Sequence, residues 1–442
     1  MAIGAAHRLE PLLVHAFAGE LPIRLRAWDG SQIGPDDAPT VVLRSRRALR
    51  RLLWAPGELG LAQAYVAGEI DLEGDLAEGL RRIWAAARSR QTPEASMRGR
   101  ELIGAARLAL RLGAVGWRPR PPAAQARLAG MRHSRHRDRA AIAHHYDLSN
   151  EFYQLVLDPQ MAYSCGYWIG DPDDPTYTVA DAQRDKLDLV CRKLGLEPGM
   201  RLLDVGCGWG ALLVHAATHY GVLATGVTLS GQQQAFIRQR IEERGLTGRV
   251  EVRLQDYREI DDSPYDRVAS LEMGEHVGQE QYPVYAANLF RLVKPAGRVL
   301  VQQMSRGAKH PGGGAFIESY VAPDMHMRPV GQTIELIEGA GLEVRDVEAL
   351  REHYVWTIQA WYAALERNLS AAVALVGEQQ VRVWRLYLVG SMLTFAENRM
   401  GVDQILAVKP VAGGASGMPR TRAMYTLAAG AAPGGAFADS VI

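Results

Sequence analysis

The stretch Leu202-Leu-Asp-Val-Gly-Cys-Gly-Trp-Gly210 concentrates more chemical information than any other in the chain. A short apolar run meets a turn of alternating glycines, and a helical pattern opens near Ala211. Gly206, Gly208 and Gly210 allow the backbone to turn tightly and a ligand to lie close to it. Such turns sit at the strand ends where open α/β sheets bind cofactors. Alternating glycines alone would also serve a dinucleotide, but there the following strand usually ends in an acid that holds a ribose. Here it ends Gly226-Val-Thr-Leu-Ser230, with Gln232 and Gln233 behind it. Thr228 and Gln233 are therefore polar candidates for the ribose or amino-acid part of a ligand. Asp256, in Leu254-Gln-Asp-Tyr257 after a third strand, is placed to accept from an adenine amino group.

Asp204 narrows the choice, because D-x-G-x-G-x-G after a first strand is the pattern of class I methyltransferases, whose donor is S-adenosylmethionine. The elements that would position these residues fit that reading. Leu202–Val205, Val222–Val227, Val250–Leu254, Arg267–Leu271 and Arg298–Gln303 read as strands, and helical stretches separate most of them. Alternation of this kind predicts an α/β fold, a Rossmann-like doubly wound sheet with helices on both faces. Residues 1–85 read as a smaller mixed α/β domain, with strands at Ile23–Trp28 and Thr40–Leu43 and helices at Ser45–Leu53 and Leu76–Ala87. Residues 86–140 read as a basic connector, 141–410 as the methyltransferase domain, and the Gly/Ala-rich 411–442 as a flexible tail.

Totals across the 442 residues are ordinary, with 22% charged residues and a net charge of +1, and they select no partner. The distribution does. Arg81 to Ala140 holds fifteen arginines against Glu94, Glu101 and Asp138, a surplus of twelve, so the remainder sums to minus eleven. A basic segment on an otherwise acidic chain suits an anionic membrane surface or a nucleic acid. Aromatic residues do not interleave with the arginines as base stacking would require, so no nucleic acid is expected. Glu101 to Leu112 has helical character and reads equally as a membrane-surface helix or a packed linker. Cys165, Cys191 and Cys207 form no disulfide framework, and no apolar run approaches the roughly 20 residues of a membrane span. A cytoplasmic protein, peripheral to the inner face of the membrane, is expected. His144, His145 and His326 lack metal-ligand spacing with Cys or acids, so no metal site is expected. Oligomeric state, including a homo-oligomer, stays open.

Beyond the glycine turn, His145-Tyr-Asp-Leu-Ser-Asn150, Tyr163-Ser-Cys165, Gln255-Asp-Tyr-Arg258, Glu275-His-Val-Gly278 and Tyr354 occur in order. Together these motifs resemble the cyclopropane-fatty-acyl-phospholipid synthases, with the mycolic acid cyclopropane synthases and related fatty-acid methyltransferases, over roughly 140–410. Gln63-Ala-Tyr-Val-Ala-Gly-Glu69 also resembles the small leading domain of the longer, phospholipid-acting members. The resemblance implies that Tyr163, Ser164, Gly206, Gly208, Thr228 and Gln233 contact S-adenosylmethionine. It also implies that Cys165, Glu275 and Tyr354 hold a bicarbonate ion beside the reacting carbon. Two further ligands of that ion, a His and an Ile, are replaced here by Gln302 and Met304. Gln keeps a hydrogen bond but cannot become cationic, which leaves bicarbonate binding and the product in question.

The implied reaction is methylation of the cis double bond of an unsaturated phospholipid acyl chain. Attack by the alkene leaves a carbocation, so the pocket must be dry, must offer π faces such as Tyr163, Tyr354 or a Trp, and must supply a base. Direct proton loss closes a cyclopropane ring; a hydride shift first gives an exocyclic methylene. The Gln302 substitution and the unusual Met325-His-Met-Arg328 segment tilt the expectation toward methylene. Trp356, Trp361 and Tyr362 are candidates for an acyl tunnel or for core. Competing readings are a small-molecule methyltransferase and a non-catalytic lipid-binding protein with this fold.

Overall fold

The computed structural model describes residues 4–17, 19–88, 104, 107–126, 137, 149–308 and 312–426. Most of the basic connector, the start of the His145–Asn150 motif and residues 427–442 lie outside the described residues. The chain forms two compact units that do not follow chain order. The smaller gathers residues 1–127, 314–323 and 365–394; the larger holds 128–313, 324–364 and 395–442.

In the larger unit the apolar runs become strands β5 (Arg201–Val205), β6 (Leu223–Thr228), β7 (Val250–Leu254), β8 (Tyr265–Leu271) and β9 (Val293–Arg306). Two strands not anticipated from the sequence, β10 (Glu343–Ala349) and β11 (Met400–Val408), complete the sheet. The strand order is β10-β11-β9-β8-β5-β6-β7. The pairs from β9 to β7 are parallel, whereas β11 runs antiparallel between β9 and β10. The alternating charges of Glu343-Val-Arg-Asp-Val-Glu348 hide β10 from a hydropathy reading, because this edge strand is only half covered. Register places Asp204 beside Gly226 on one side and Ala269 on the other.

The helix Val179–Leu194 packs behind this sheet. A reciprocal Thr178–Asp181 capping box opens it and Gly195, in the left-handed conformation, closes it. Its inward side chains Gln183 and Lys186 reach the loop that carries Tyr163, Ser164 and Cys165. Gln183 Nε2 donates to the Ser164 carbonyl at 2.7 Å, and Lys186 Nζ to Ser164 Oγ at 2.7 Å.

Within the segment after residue 410, expected to be a flexible tail, a short helix packs on the larger unit. Ala423–Thr426 is helical and packs on Val179–Leu194. Tyr425 is buried there, giving the segment an apolar anchor that its Gly/Ala-rich composition concealed.

The smaller unit contains β1 (Arg24–Arg26), β2 (Gln32–Ile33), β3 (Thr40–Leu43) and β4 (Ile70–Glu73) in the order β2-β1-β3-β4. The Gln63–Glu69 motif is a packing device. Buried Arg51 grips Glu69 through Nε and Nη2 at 2.8 and 3.2 Å, and the Arg382 guanidinium lies 4.3 Å from the Tyr65 ring centroid. Within the stretch read as a linker or surface helix, Ala109 and Leu112 are buried while Leu110 faces solvent. Among the described residues no helix is long and apolar enough to cross a membrane.

Candidate active site

A cavity opens at the carboxyl ends of β5, β6, β7 and β8. Its wall includes Tyr163, Ser164, Asp204, Gly206, Gly208, Thr228, Gln233 and Asp256, eight of the nine residues expected to contact the donor. Gly206 (φ +82°) and Gly208 (φ +52°) adopt backbone that disfavours other residues. A Cβ on Gly206 would also lie 2.8 Å from Met273 Cγ, so the turn admits only glycine there. Gly210, the ninth, is not on the wall. It caps the helix Ala211–Tyr220 with φ +77° against Ile237.

The polar groups of the cavity fit a cationic nucleoside ligand. Thr228 Oγ1 and Gln233 Oε1 hold each other at 2.6 Å. Asp256 is braced by Arg258, whose Nε and Nη2 lie 2.8 and 2.6 Å from its two oxygens. Asp204 is buried, and its Oδ1 has no hydrogen-bond partner among the described residues. Burial raises its pKa to about 7, opposed by the charge of Lys186. An unpartnered carboxylate oxygen on the wall suits the ammonium or sulfonium of S-adenosylmethionine. Lys186 was not anticipated from the sequence. It is fully buried on the wall, where desolvation lowers its pKa against the pull of Glu272 and Asp158. Trp209 was also missed: it lines the cavity, packs on Tyr153 at 4.4 Å and donates to Asn150 Oδ1 at 2.9 Å.

Deeper in the site, the carboxylate beside Cys165, Tyr354 and Gln302 is Glu272, not Glu275. Glu272 Oε1 accepts from the Cys165 N–H at 2.7 Å and from Gln302 Nε2 at 2.9 Å; Oε2 accepts from the Tyr354 hydroxyl at 2.5 Å. Glu272 has φ +54°, which turns its side chain back toward Cys165. The 3₁₀ turn Gly274–His276 then carries Glu275 away, and the His326 N–H donates to the Glu275 carbonyl at 2.8 Å. Glu275 is fully buried, and its carboxylate oxygens have no hydrogen-bond partner among the described residues. Burial and the nearby Glu272 raise its pKa well above the ordinary range. Burial also raises that of Glu272, but its three donors and Lys186 oppose the shift. Of the two, Glu275 is pushed further toward its neutral form, because Glu272 has three donors and Lys186 to support a charge. The Cys165 thiol faces away, toward the Gly166 carbonyl at 3.3 Å, so its backbone N–H is the group presented to the site.

Comparison with known proteins gives this geometry its family. The family model for mycolic acid cyclopropane synthetase matches residues 133–405. The chain belongs to that family. This family member is 38% identical to a probable fatty acid methyltransferase of Pseudomonas putida, over 91% of this chain and 95% of that one. It is 33% identical to the tuberculostearic acid methyltransferase UfaA1 of Mycobacterium tuberculosis, with 89% of each chain covered. Among solved structures it resembles the mycolic acid cyclopropane synthase CmaA1 complexed with SAH and CTAB, at TM-score 0.57 and 32% identity, over 61% of this chain and 97% of that one. This family member is an S-adenosylmethionine-dependent C-methyltransferase, and the cavity at its strand ends fits that donor.

The bicarbonate ion implied by the resemblance does not fit. Three of the groups expected to hold it, at Cys165, Tyr354 and Gln302, already bind the Glu272 carboxylate.

Proposed function

We propose that the protein transfers the methyl group of S-adenosylmethionine to the cis double bond of an unsaturated phospholipid acyl chain. The observation that carries this reading is the wall beside the donor cavity: a cluster of aromatic faces joined to a buried carboxylate. Tyr163 packs on Trp361 with centroids 5.3 Å apart, and Trp361 packs on Tyr354 at 6.0 Å. Trp361 and Tyr354 are buried, and Tyr354 donates to Glu272. S-adenosylmethionine supplies an electrophilic methyl when bound. Buried rings stabilise a cation on the acyl chain and keep water from trapping it as an alcohol. An amine or oxygen acceptor would need neither.

Between the products, a methylene branch is favoured. Gln302 stands where the resemblance expects a cationic-capable His, and the relative UfaA1 is named for tuberculostearic acid. The Met325–Arg328 segment is docked through Arg328, whose guanidinium lies 4.0 Å from the Tyr282 ring centroid.

The protein would reach its substrate at an anionic bilayer surface. Within the smaller unit, the helix Arg46–Trp54 holds no acid and, besides the buried Arg51 that is paired with Glu69, carries Arg46, Arg47 and Arg50. Trp54 Nε1 donates to the Gly116 carbonyl at 3.0 Å, joining this helix to a turn that exposes Val115 and Trp117. Trp117 is 93% and Trp54 54% exposed, an arrangement that suits the headgroup region.

The test is incubation with methyl-labelled S-adenosylmethionine and monounsaturated phosphatidylglycerol vesicles, followed by mass spectrometry of the released acyl chains. Labelled chains carrying one added carbon are expected, with the methylene isomer in excess. A cyclopropane as the main product would reverse the preference; label found only in headgroups or small molecules would remove the reading.

A further inference from the structure

We infer that Glu272 is the proton acceptor of the reaction, a carboxylate of the chain itself standing where the family resemblance places a bicarbonate ion. This rests on the alkene methylation proposed above and names the base that it needs.

Three observations converge on Glu272. The first is its donor set. The Cys165 N–H and Gln302 Nε2 meet one oxygen and the Tyr354 hydroxyl meets the other, so a planar carboxylate fills the cradle that a planar bicarbonate would need.

The second is backbone. Glu272 is a non-glycine residue at φ +54°. A left-handed conformation is unfavourable for a residue with a Cβ, and such outliers persist where the surroundings hold them. Glycine would take this backbone freely, so the Cβ-bearing residue is kept for its side chain.

The third is orientation from behind. Lys193 Nζ donates to Gln404 Oε1 at 2.8 Å, Gln404 Nε2 to Gln302 Oε1 at 2.9 Å, and Gln302 Nε2 to Glu272. That relay fixes which face of the Gln302 amide meets Glu272, so Gln302 can only donate. A histidine there could also donate a full proton. Gln302 cannot, so it offers the carboxylate a hydrogen bond without protonating it.

The step balances without another reagent. The alkene π pair forms the new C–C bond as the C–S bond of the donor breaks, releasing S-adenosylhomocysteine and leaving a cation on the acyl chain. Glu272 then takes a proton from the newly added carbon. The C–H pair closes a ring, or, after a hydride shift, forms the exocyclic C=C bond. Glu272 returns its proton to solvent after product leaves.

The experiment compares the wild type, Glu272→Gln and Glu272→Gly on labelled donor and monounsaturated phosphatidylglycerol, in CO2-free buffer and with added bicarbonate, formate or acetate. The wild type is expected to turn over equally with and without CO2. Glu272→Gln should lose at least ~100-fold in kcat, the scale of a removed general base, while donor affinity by calorimetry stays within about threefold. Glu272→Gly relieves the backbone and should melt within about 5 °C of the wild type, which separates a lost base from a lost fold. It should also regain at least ~10-fold in rate with one of the added anions.

A wild type that works but stops when CO2 is removed would overturn the assignment. So would a Glu272→Gln enzyme with more than about a tenth of the wild-type kcat. A folded Glu272→Gly enzyme that none of the anions rescues would overturn it too. A wild type that labels no acyl chain under any condition would instead sink the alkene reading, and the base with it.

Discussion

Asp204 and Glu272 are both buried carboxylates, and their surroundings give them different work. Asp204 has an oxygen unpartnered among the described residues and a pKa raised to about 7; Glu272 is held by three donors. In the ligand-free protein Asp204 keeps a proton that the unfolded chain has lost. The native state thus binds more protons between about pH 4 and 7, and this group's contribution to stability falls as pH rises through that window. Subtracting the melting curve of Asp204→Asn from that of the wild type across pH 5 to 8 should show the decline; a flat difference would contradict it. A cationic donor prefers the ionised form, so the affinity of the wild type for S-adenosylmethionine should rise with pH through about 7. Titration calorimetry on Asp204→Asn should lose that slope. Sequence reading found Asp204 because its position before a glycine turn is a local pattern. It named Glu275 from the resemblance of Glu275-His-Val-Gly278 to the family motif and did not weigh Glu272, whose left-handed backbone and contact with the Cys165 N–H only the tertiary structure shows.

At the scale of elements, the parallel strands were legible because each is a short apolar run bounded by glycine or polar residues. β11 was not, although it is the strand that supplies Gln404. Its antiparallel pairing with β9 sets Gln404 opposite Gln302, and the helix Val179–Leu194 brings Lys193 to the other end of the relay. Gln404→Leu should leave the Gln302 carbonyl oxygen buried without a donor, at a cost of about 1–3 kcal/mol in stability. The freed amide could turn its oxygen toward Glu272, so kcat should fall by about tenfold, some 1.4 kcal/mol, with donor affinity unchanged. Thermal melts and initial rates measure both quantities. Because the role is positional, Gln404→Glu, which keeps an acceptor for Lys193 but no donor for Gln302, should not restore the rate.

At the scale of the whole molecule, the proposed bilayer-facing surface belongs to the smaller unit, where the arginine-bearing helix Arg46–Trp54 ends in exposed Trp54 and Trp117 is exposed as well. The double substitution Trp54→Ala/Trp117→Ala should weaken sedimentation with phosphatidylglycerol vesicles roughly tenfold while leaving donor binding intact. Added salt should weaken the wild type as well, because the arginine contribution is screened. Unchanged vesicle binding in the double variant would place the surface elsewhere. The sequence by itself determined the sheet class, the donor turn and most of the residues around it. Those are set by spacing within single strands and the loops that follow them, where a few neighbouring residues decide the conformation. Only tertiary structure decided which glutamate meets Cys165, Tyr354 and Gln302, and that residues 314–323 and 365–394 cluster with the N-terminal unit. Those outcomes depend on backbone handedness and on partners up to hundreds of residues away, which no local periodicity encodes.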